Sequence, residues 1–291
     1  AEDYGWCDCD GNLPDQCGEC GGNNNCLEGY DGGYLLFDGV DDYVDLHGNE
    51  TFNFGTGNFT ISHWFKSTEV ATPGFPVSTL SKWPDTWHGN YFYGVTPYRP
   101  NLESYGTTYS DVPVAHFTWN TEPHPGQHLG YTEANLLDGE WHYISAIKTG
   151  TNLWIYIDGV PVSSQTAFPD PNQTADNDGS LILGSFQVAA PDFLNTDTPI
   201  PFMVSSVEIW DRNLPAEEIQ YYMNNSALGS EGLVGYWDFE NSTGYTLTDL
   251  TAFGNHGNIF GASWPEIRSN YLSIEDSLLI QKGQSVEIPI L

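Results

Sequence analysis

Apolar and polar positions alternate along most of this chain in runs too short for helices. Runs at 34–37, 43–46, 59–65, 91–95, 141–148, 153–157, 180–183, 203–210 and 234–239 are rich in aromatic and β-branched residues. Each is cut by Gly, Pro, Asn or Asp, so each predicts a strand bounded by turns. In Trp154-Ile155-Tyr156-Ile157 the alternation is strict, and Asp158-Gly159 follows as a hairpin-turn signal. One stretch, 214–223, predicts a helix instead. There Pro215 suits the first helical position, and Glu217 and Glu218 sit at the positive end of the helix dipole. Many short strands, tight turns and one helix predict an all-β fold, a two-sheet antiparallel sandwich.

Composition narrows this picture. With 291 residues, 39% hydrophobic and 14% aromatic, the chain can bury a sizeable core. Thirty-nine Asp and Glu face seven Lys and Arg, a formal net charge of −32. That surface repels nucleic acid and anionic lipid. No run of about 18 apolar residues predicts a membrane span, so no membrane insertion is expected. The excess charge has two compatible readings: solubility in a salty medium, and divalent-cation binding through clustered oxygens. All five cysteines, Cys7, Cys9, Cys17, Cys20 and Cys26, lie in a head spanning 1–30. Disulfides suit so small a segment, while the spacing of Cys17 and Cys20 also matches half a zinc site. An odd count leaves one thiol over, free or bonded to another chain. Ala1-Glu2-Asp3 would suit a mature N-terminus, and with the disulfide reading it makes a secreted, extracellular protein the expectation.

Several motifs carry a resemblance. Phe37-Asp38-Gly39-Val40-Asp41-Asp42-Tyr43-Val44 resembles the first strands of laminin G-like domains. Asp138-Gly139-Glu140-Trp141-His142-Tyr143 and Trp154-Ile155-Tyr156-Ile157-Asp158-Gly159 are similar to that family's central hairpin. Leu181-Ile182-Leu183-Gly184, Val207-Glu208-Ile209-Trp210-Asp211 and 214–219 resemble the closing strands and helix of pentraxins. The likeness covers about 230 residues in order, within 31–267. It implies a concanavalin A-type jelly roll. The head resembles the short Asp/Cys repeats of thrombospondin type 3 stalks, which implies a stiffened spacer. The tail, 268–291, reads as strands. It resembles the opening of an Ig-like or cohesin-like module, and it would equally serve as a strand added to a neighbouring subunit.

Candidate chemistry follows from these parts. Asp8, Asp10 and Asn12 alternate around Gly11 like the opening of a calcium loop; a disulfide-tied turn with solvated Asp is the other reading. Asp38, Asp41, Asp42 and Asp45 cluster within eight residues, and Asp249 and Asn255 lie in closing strands that the resemblance places nearby; of these, Asp38, Asp41, Asp42, Asp249 and Asn255 are candidate Ca²⁺ ligands. As turn formers, Asp38-Gly39 and Asp41-Asp42 would bond their own backbone instead. Asp176-Asn177-Asp178-Gly179 reads as a plain turn, and His124 and His128 flank a Pro125-Gly126 turn and read as loop residues. The place where pentraxins hold paired calcium reads Gly184-Ser185-Phe186-Gln187 here, and only Gln187 offers a ligand there. An excursion at 83–131 carries Trp83, Trp87, Tyr91, Tyr98 and Trp119, which would stack on sugars from loops or pin those loops to the sandwich. Trp64, Trp141, Trp154, Trp210, Trp237 and Trp264 are core candidates. Asn49, Asn172, Asn224 and Asn241 begin usable glycosylation sequons, and Asn58 begins a poorer one. The resembling fold also houses glycoside hydrolases, which need paired carboxylates. No Glu-x-Asp occurs here, nor Gly-x-Ser-x-Gly, nor His-Glu-x-x-His. The expectation is therefore a non-enzymatic adhesive or structural surface protein, calcium-stabilised. Its partners would be copies of itself in an oligomer or fibre, or cell-surface and polysaccharide glycans. A carbohydrate-binding module of a larger protein is the alternative.

Overall fold

The computed structural model describes residues 33–48, 50–67, 79–82, 93–98, 113–121, 124–131, 136–166, 176, 178–184, 186–187, 194–195, 201–240 and 244–265. Along the chain run β1 (Leu35–Phe37), β2 (Tyr43–Asp45), β3 (Phe59–Lys66), β4 (Leu80–Lys82), β5 (Tyr93–Tyr98) and β6 (Pro113–Thr121). Then come β7 (His124–Tyr131), β8 (His142–Thr149), β9 (Asn152–Ile157), β10 (Val160–Thr166), β11 (Leu181–Leu183), β12 (Phe186–Gln187) and β13 (Leu194–Asn195). The last are β14 (Phe202–Trp210), α1 (Ala216–Tyr222), β15 (Leu233–Trp237), β16 (Thr246–Leu247) and β17 (Gly257–Phe260).

Among the described residues, two antiparallel sheets make a jelly-roll sandwich. The first has the order β1-β14-β3-β8-β9-β10, with β15 also on β14; the second runs β16-β17-β2-β11-β4-β5-β6-β7. Between them the inner faces bury Phe37, Val44, Ile61, Leu183, Val204 and Ile259. A second apolar cluster lies on the outer side of the first sheet, where Trp64, Tyr143 and Trp210 meet Ile219 of α1. Strand β9 serves both. Its residues Leu153, Ile155 and Ile157 are buried inward, while Trp154 and Tyr156 pack half-buried against the second cluster. Trp64, Trp141, Trp210 and Trp237 are buried as expected; Trp154 and Trp264 stay at the margins.

Strand β14 changes parity partway. Phe202 and Val204 point inward, and then so do Val207 and Ile209. One extra residue is needed between the two sets, and a β-bulge supplies it: Ser205 pairs with Trp64 but Glu208 pairs with Ser62. Ser206 takes φ +41 there. Its hydroxyl donates to Glu208 Oε1 at 2.7 Å, and the Tyr143 hydroxyl donates to Glu208 Oε2. Burial pushes the Glu208 carboxyl up to about 8, against those two hydrogen bonds. In the core, His63 is fully buried with neither ring nitrogen partnered among the described residues. Burial lowers it to about 3, so the ring is neutral.

Three expectations are revised. The aromatic excursion is not all loop, because β5, β6 and β7 extend the second sheet through 93–131. His124 and His128, flanking Pro125-Gly126, lie on β7 rather than in a turn. That strand is the sheet's edge, where a residue lacking an N–H is tolerated. The helix starts at Ala216, since Pro215 is extended at ψ 161 and caps it from outside. The Asp158-Gly159 turn is as read, with φ values of 51 and 72 suited to a two-residue hairpin.

Candidate functional site

The link from β1 to β2 gathers the acidic cluster. Gly39, at φ +84, turns the chain, and Asp38 Oδ1 accepts the Val40 N–H at 2.8 Å. The Asp38 N–H donates to Asp42 Oδ2. One oxygen each from Asp38, Asp41 and Asp42 then lies within 4.8 Å of the others. Asp42 is buried while Asp38 and Asp41 are exposed. Burial pushes the Asp42 carboxyl up; the Asp38 backbone bond opposes this, and the charges of Asp38 and Asp41 add to it. Gly261, just after β17, closes over the cluster at φ +72, and a Cβ there would lie 2.2 Å from Asp42 Oδ1. No Lys or Arg pairs with the three among the described residues. Oxygen donors converging without a counter-charge fit a hard divalent cation such as Ca²⁺.

Asp249 and Asn255 are placed together but outside that trio. Asp249 Oδ1 accepts the N–H groups of Tyr236 at 3.2 Å and Thr251 at 2.9 Å. Its Oδ2 accepts the Thr251 hydroxyl at 2.9 Å and the Asn255 N–H at 2.8 Å. Four donors saturate this buried carboxylate, which organises the turn between β16 and β17. Asn255 Oδ1 takes the Thr51 hydroxyl at 3.4 Å. Asp176 Oδ1 accepts the Gly55 N–H at 2.8 Å, a link between distant segments rather than the local bond of a plain turn.

The outer face of the β2–β17 pair carries Asp45, from the acidic run, beside Phe260, Asn258 and His47, which the sequence reading passed over. Tyr43 and Phe260 are cross-strand partners, and their rings stack at 4.5 Å with planes 13° apart. Two residues along, Asp45 faces Asn258. His47, at φ +52, joins them: its Nδ1 is 3.1 Å from Asp45 Oδ2 and its Nε2 is 2.9 Å from Asn258 Nδ2. The available signal was the outward phase of Tyr43-Val44-Asp45 and Asn258-Ile259-Phe260, legible once their inward partners were known.

Of the proposed sugar-stacking residues, Tyr98 lies on β5 and Trp119 on β6. Trp83, Trp87 and Tyr91 fall outside the described residues, as do the head with Asp8, Asp10, Asn12 and the five cysteines, the tail, and Asn49, Asn172 and Asn241. Asn224 follows α1 and is half-buried. The Asn58 amide is used internally by Asn213 and Gly150.

A profile of the concanavalin A-like lectin/glucanases superfamily (Laminin_G_3) matches residues 38–220. The chain belongs to this superfamily. Among curated proteins, this laminin G-type chain is 32% identical to human Pentraxin-4 over 98 residues, 33% of this chain and 20% of that one. Its fold resembles that of a candidate carbohydrate-binding protein from Bacteroides ovatus, with TM-score 0.55 and 13% identity over 81% of this chain and 60% of that one. A heptameric SAP-like pentraxin from Limulus polyphemus gives TM-score 0.51 and 9% identity over 80% of this chain and 94% of its own. The laminin G-type domain thus spans only part of the Bacteroides protein and a fifth of Pentraxin-4. No described helix is long and apolar enough to cross a membrane.

Proposed function

We infer that this chain is a non-catalytic, calcium-stabilised carbohydrate-binding module of a secreted adhesive or structural surface protein. The observation that carries the reading is the convergence of Asp38, Asp41 and Asp42 within 4.8 Å on a lectin-type sandwich. A buried carboxylate beside two others is costly without a counter-charge, and a bound Ca²⁺ supplies one. Glycan binding draws support from the superfamily and from the Bacteroides relative's description. Self-association has its own support in the odd cysteine count, and the Limulus relative is a heptamer. The full chain would also keep Asp8, Asp10 and Asn12 as candidate head ligands.

One set of buffers tests all of this. Thermal unfolding, glycan-array binding and sizing would be run with Ca²⁺, with chelator, and with reductant. Ca²⁺ should raise Tm by several degrees by preferring the folded state, and Asp42→Asn should abolish the shift. An unshifted Tm would remove the calcium reading. An empty array in every buffer would remove the glycan reading. A monomer indifferent to reductant and chelator would remove assembly.

A further inference from the structure

We propose that the outer face of the β2–β17 edge is a subsite for an uncharged hexopyranose. The sugar would stack on Phe260, with hydroxyls held by Asn258 and Asp45. The proposal rests on the glycan-binding reading above and gives it a location.

Phe260 and Tyr43 stack nearly parallel, so each ring covers one face of the other. The remaining face of Phe260 turns away from β2 toward the β16 side. Thr246 pairs with Asn258, and Ile259 donates to the Tyr245 carbonyl at 2.9 Å. Continuing that antiparallel register brings Gly244 level with Phe260. Gly244 has no side chain, and even a Cβ there would meet nothing within 4 Å. Among the described residues the Trp264 indole approaches Gly244, donating to its carbonyl at 2.9 Å, and Phe260 stays accessible at 44% exposed, with Tyr245 83% exposed. The C–H hydrogens on one side of a pyranose carry partial positive charge and pack on such a π-face.

A hydrogen-bonding group stands at the right spacing. Asn258 lies two residues along the same face, roughly 7 Å away, about the span of one pyranose. With the His47 Nδ1–H donated to Asp45 Oδ2, Nε2 accepts an amide N–H from Asn258. Asn258 then presents its second N–H and its carbonyl oxygen side by side, a donor–acceptor pair that suits neighbouring sugar hydroxyls. The His47 N–H on Asp45 Oδ1, at 2.9 Å, fixes the carboxylate that completes the row. His47 holds a left-handed backbone to make these contacts, a conformation that needs such surrounding support.

Charge selects the class of sugar. Asp45 stands within the patch, Asp41 and Asp42 directly precede Tyr43 in the chain, and the net charge is −32. Sulfated, sialylated and uronic acid polymers are repelled, whereas neutral hexosans are not.

The test uses the full chain in affinity electrophoresis through gels containing a neutral β-glucan, a neutral mannan or the anionic polymer alginate, with Ca²⁺ present. The wild-type protein should be retarded by at least one neutral polymer and not by alginate. Phe260→Ala should weaken retardation at least about tenfold. Asn258→Ala, at an exposed position, should weaken it severalfold while a cooperative unfolding transition is retained. Undiminished retardation of both variants overturns the subsite and leaves the glycan reading standing. Preferential retardation by alginate overturns the neutral class. Wild-type protein retarded by none of the three overturns the proposal; if the glycan array is empty as well, the glycan-binding reading falls with it.

Discussion

Glu208 and His63 bias stability in opposite directions with pH. Glu208 ionises at about 8 in the fold against 4.5 ordinarily. Its folded pKa is raised, so its contribution is complete below about 4.5 and is lost as pH rises through about 8. His63 is lowered to about 3 from 6.5, so its contribution is complete above about 6.5 and is lost as pH falls through about 3. Between these limits the slopes oppose, and stability from this pair is greatest at mildly acid pH. Above pH 6.5 Glu208 acts alone, with a slope of at most about 1.4 kcal/mol per pH unit. Glu208→Gln keeps an acceptor for Tyr143 without a titratable charge. Chemical denaturation at pH 5, 7 and 8.5 should show a flattened alkaline limb in this variant; an unchanged limb would place the titration elsewhere. Neither residue was legible in the sequence. His63 sits in a run of strand residues, and its lack of a partner depends on what the opposite sheet brings.

At the scale of elements, strands and the hairpin were readable because burial repeats with their period, as in Leu153, Ile155 and Ile157. The β14 bulge was not, because Phe202-Met203-Val204-Ser205-Ser206-Val207 reads equally well without a shift of parity. Three of the eight metal candidates are brought together by the structure, for a similar reason. Asp38, Asp41 and Asp42 are neighbours in sequence, whereas Asp249 looks identical as a letter and is saturated by its own turn. Gly261 is the overlooked element of the acidic site, since only the pairing of β17 with β2 brings it there. Gly261→Ala places a methyl against Asp42 Oδ1 on a backbone at φ +72. It should cost roughly 1–3 kcal/mol and blunt the Ca²⁺-induced Tm shift. Differential scanning calorimetry with and without Ca²⁺ reads both, and a wild-type response would show that the closure of β17 over the cluster is immaterial.

At the scale of the whole molecule, three of the four Lys and Arg side chains among the described residues are engaged by local partners. Lys82 bonds Asn53 Oδ1 at 2.9 Å, Lys148 bonds the carbonyls of Thr56 and Gly57 at 2.8 and 2.7 Å, and Arg212 pairs with Glu218. Seven Lys and Arg against 39 Asp and Glu leave a net −32. Raising NaCl from about 0.05 to about 0.5 M, with chelator present, should therefore raise Tm by screening self-repulsion. A Tm flat or falling with salt would contradict this. Strand β14 has a different consequence at this scale. It pairs with β1, β3 and β15, joining Leu35 to Val204 and Ile61 to Ile209. The first sheet cannot close before residue 210 has been synthesised, and pairings of such long sequence separation form slowly. The pairings of β3, β8, β9 and β10 need nothing beyond residue 166, so the sheet's late step is the insertion of β14 between β1 and β3.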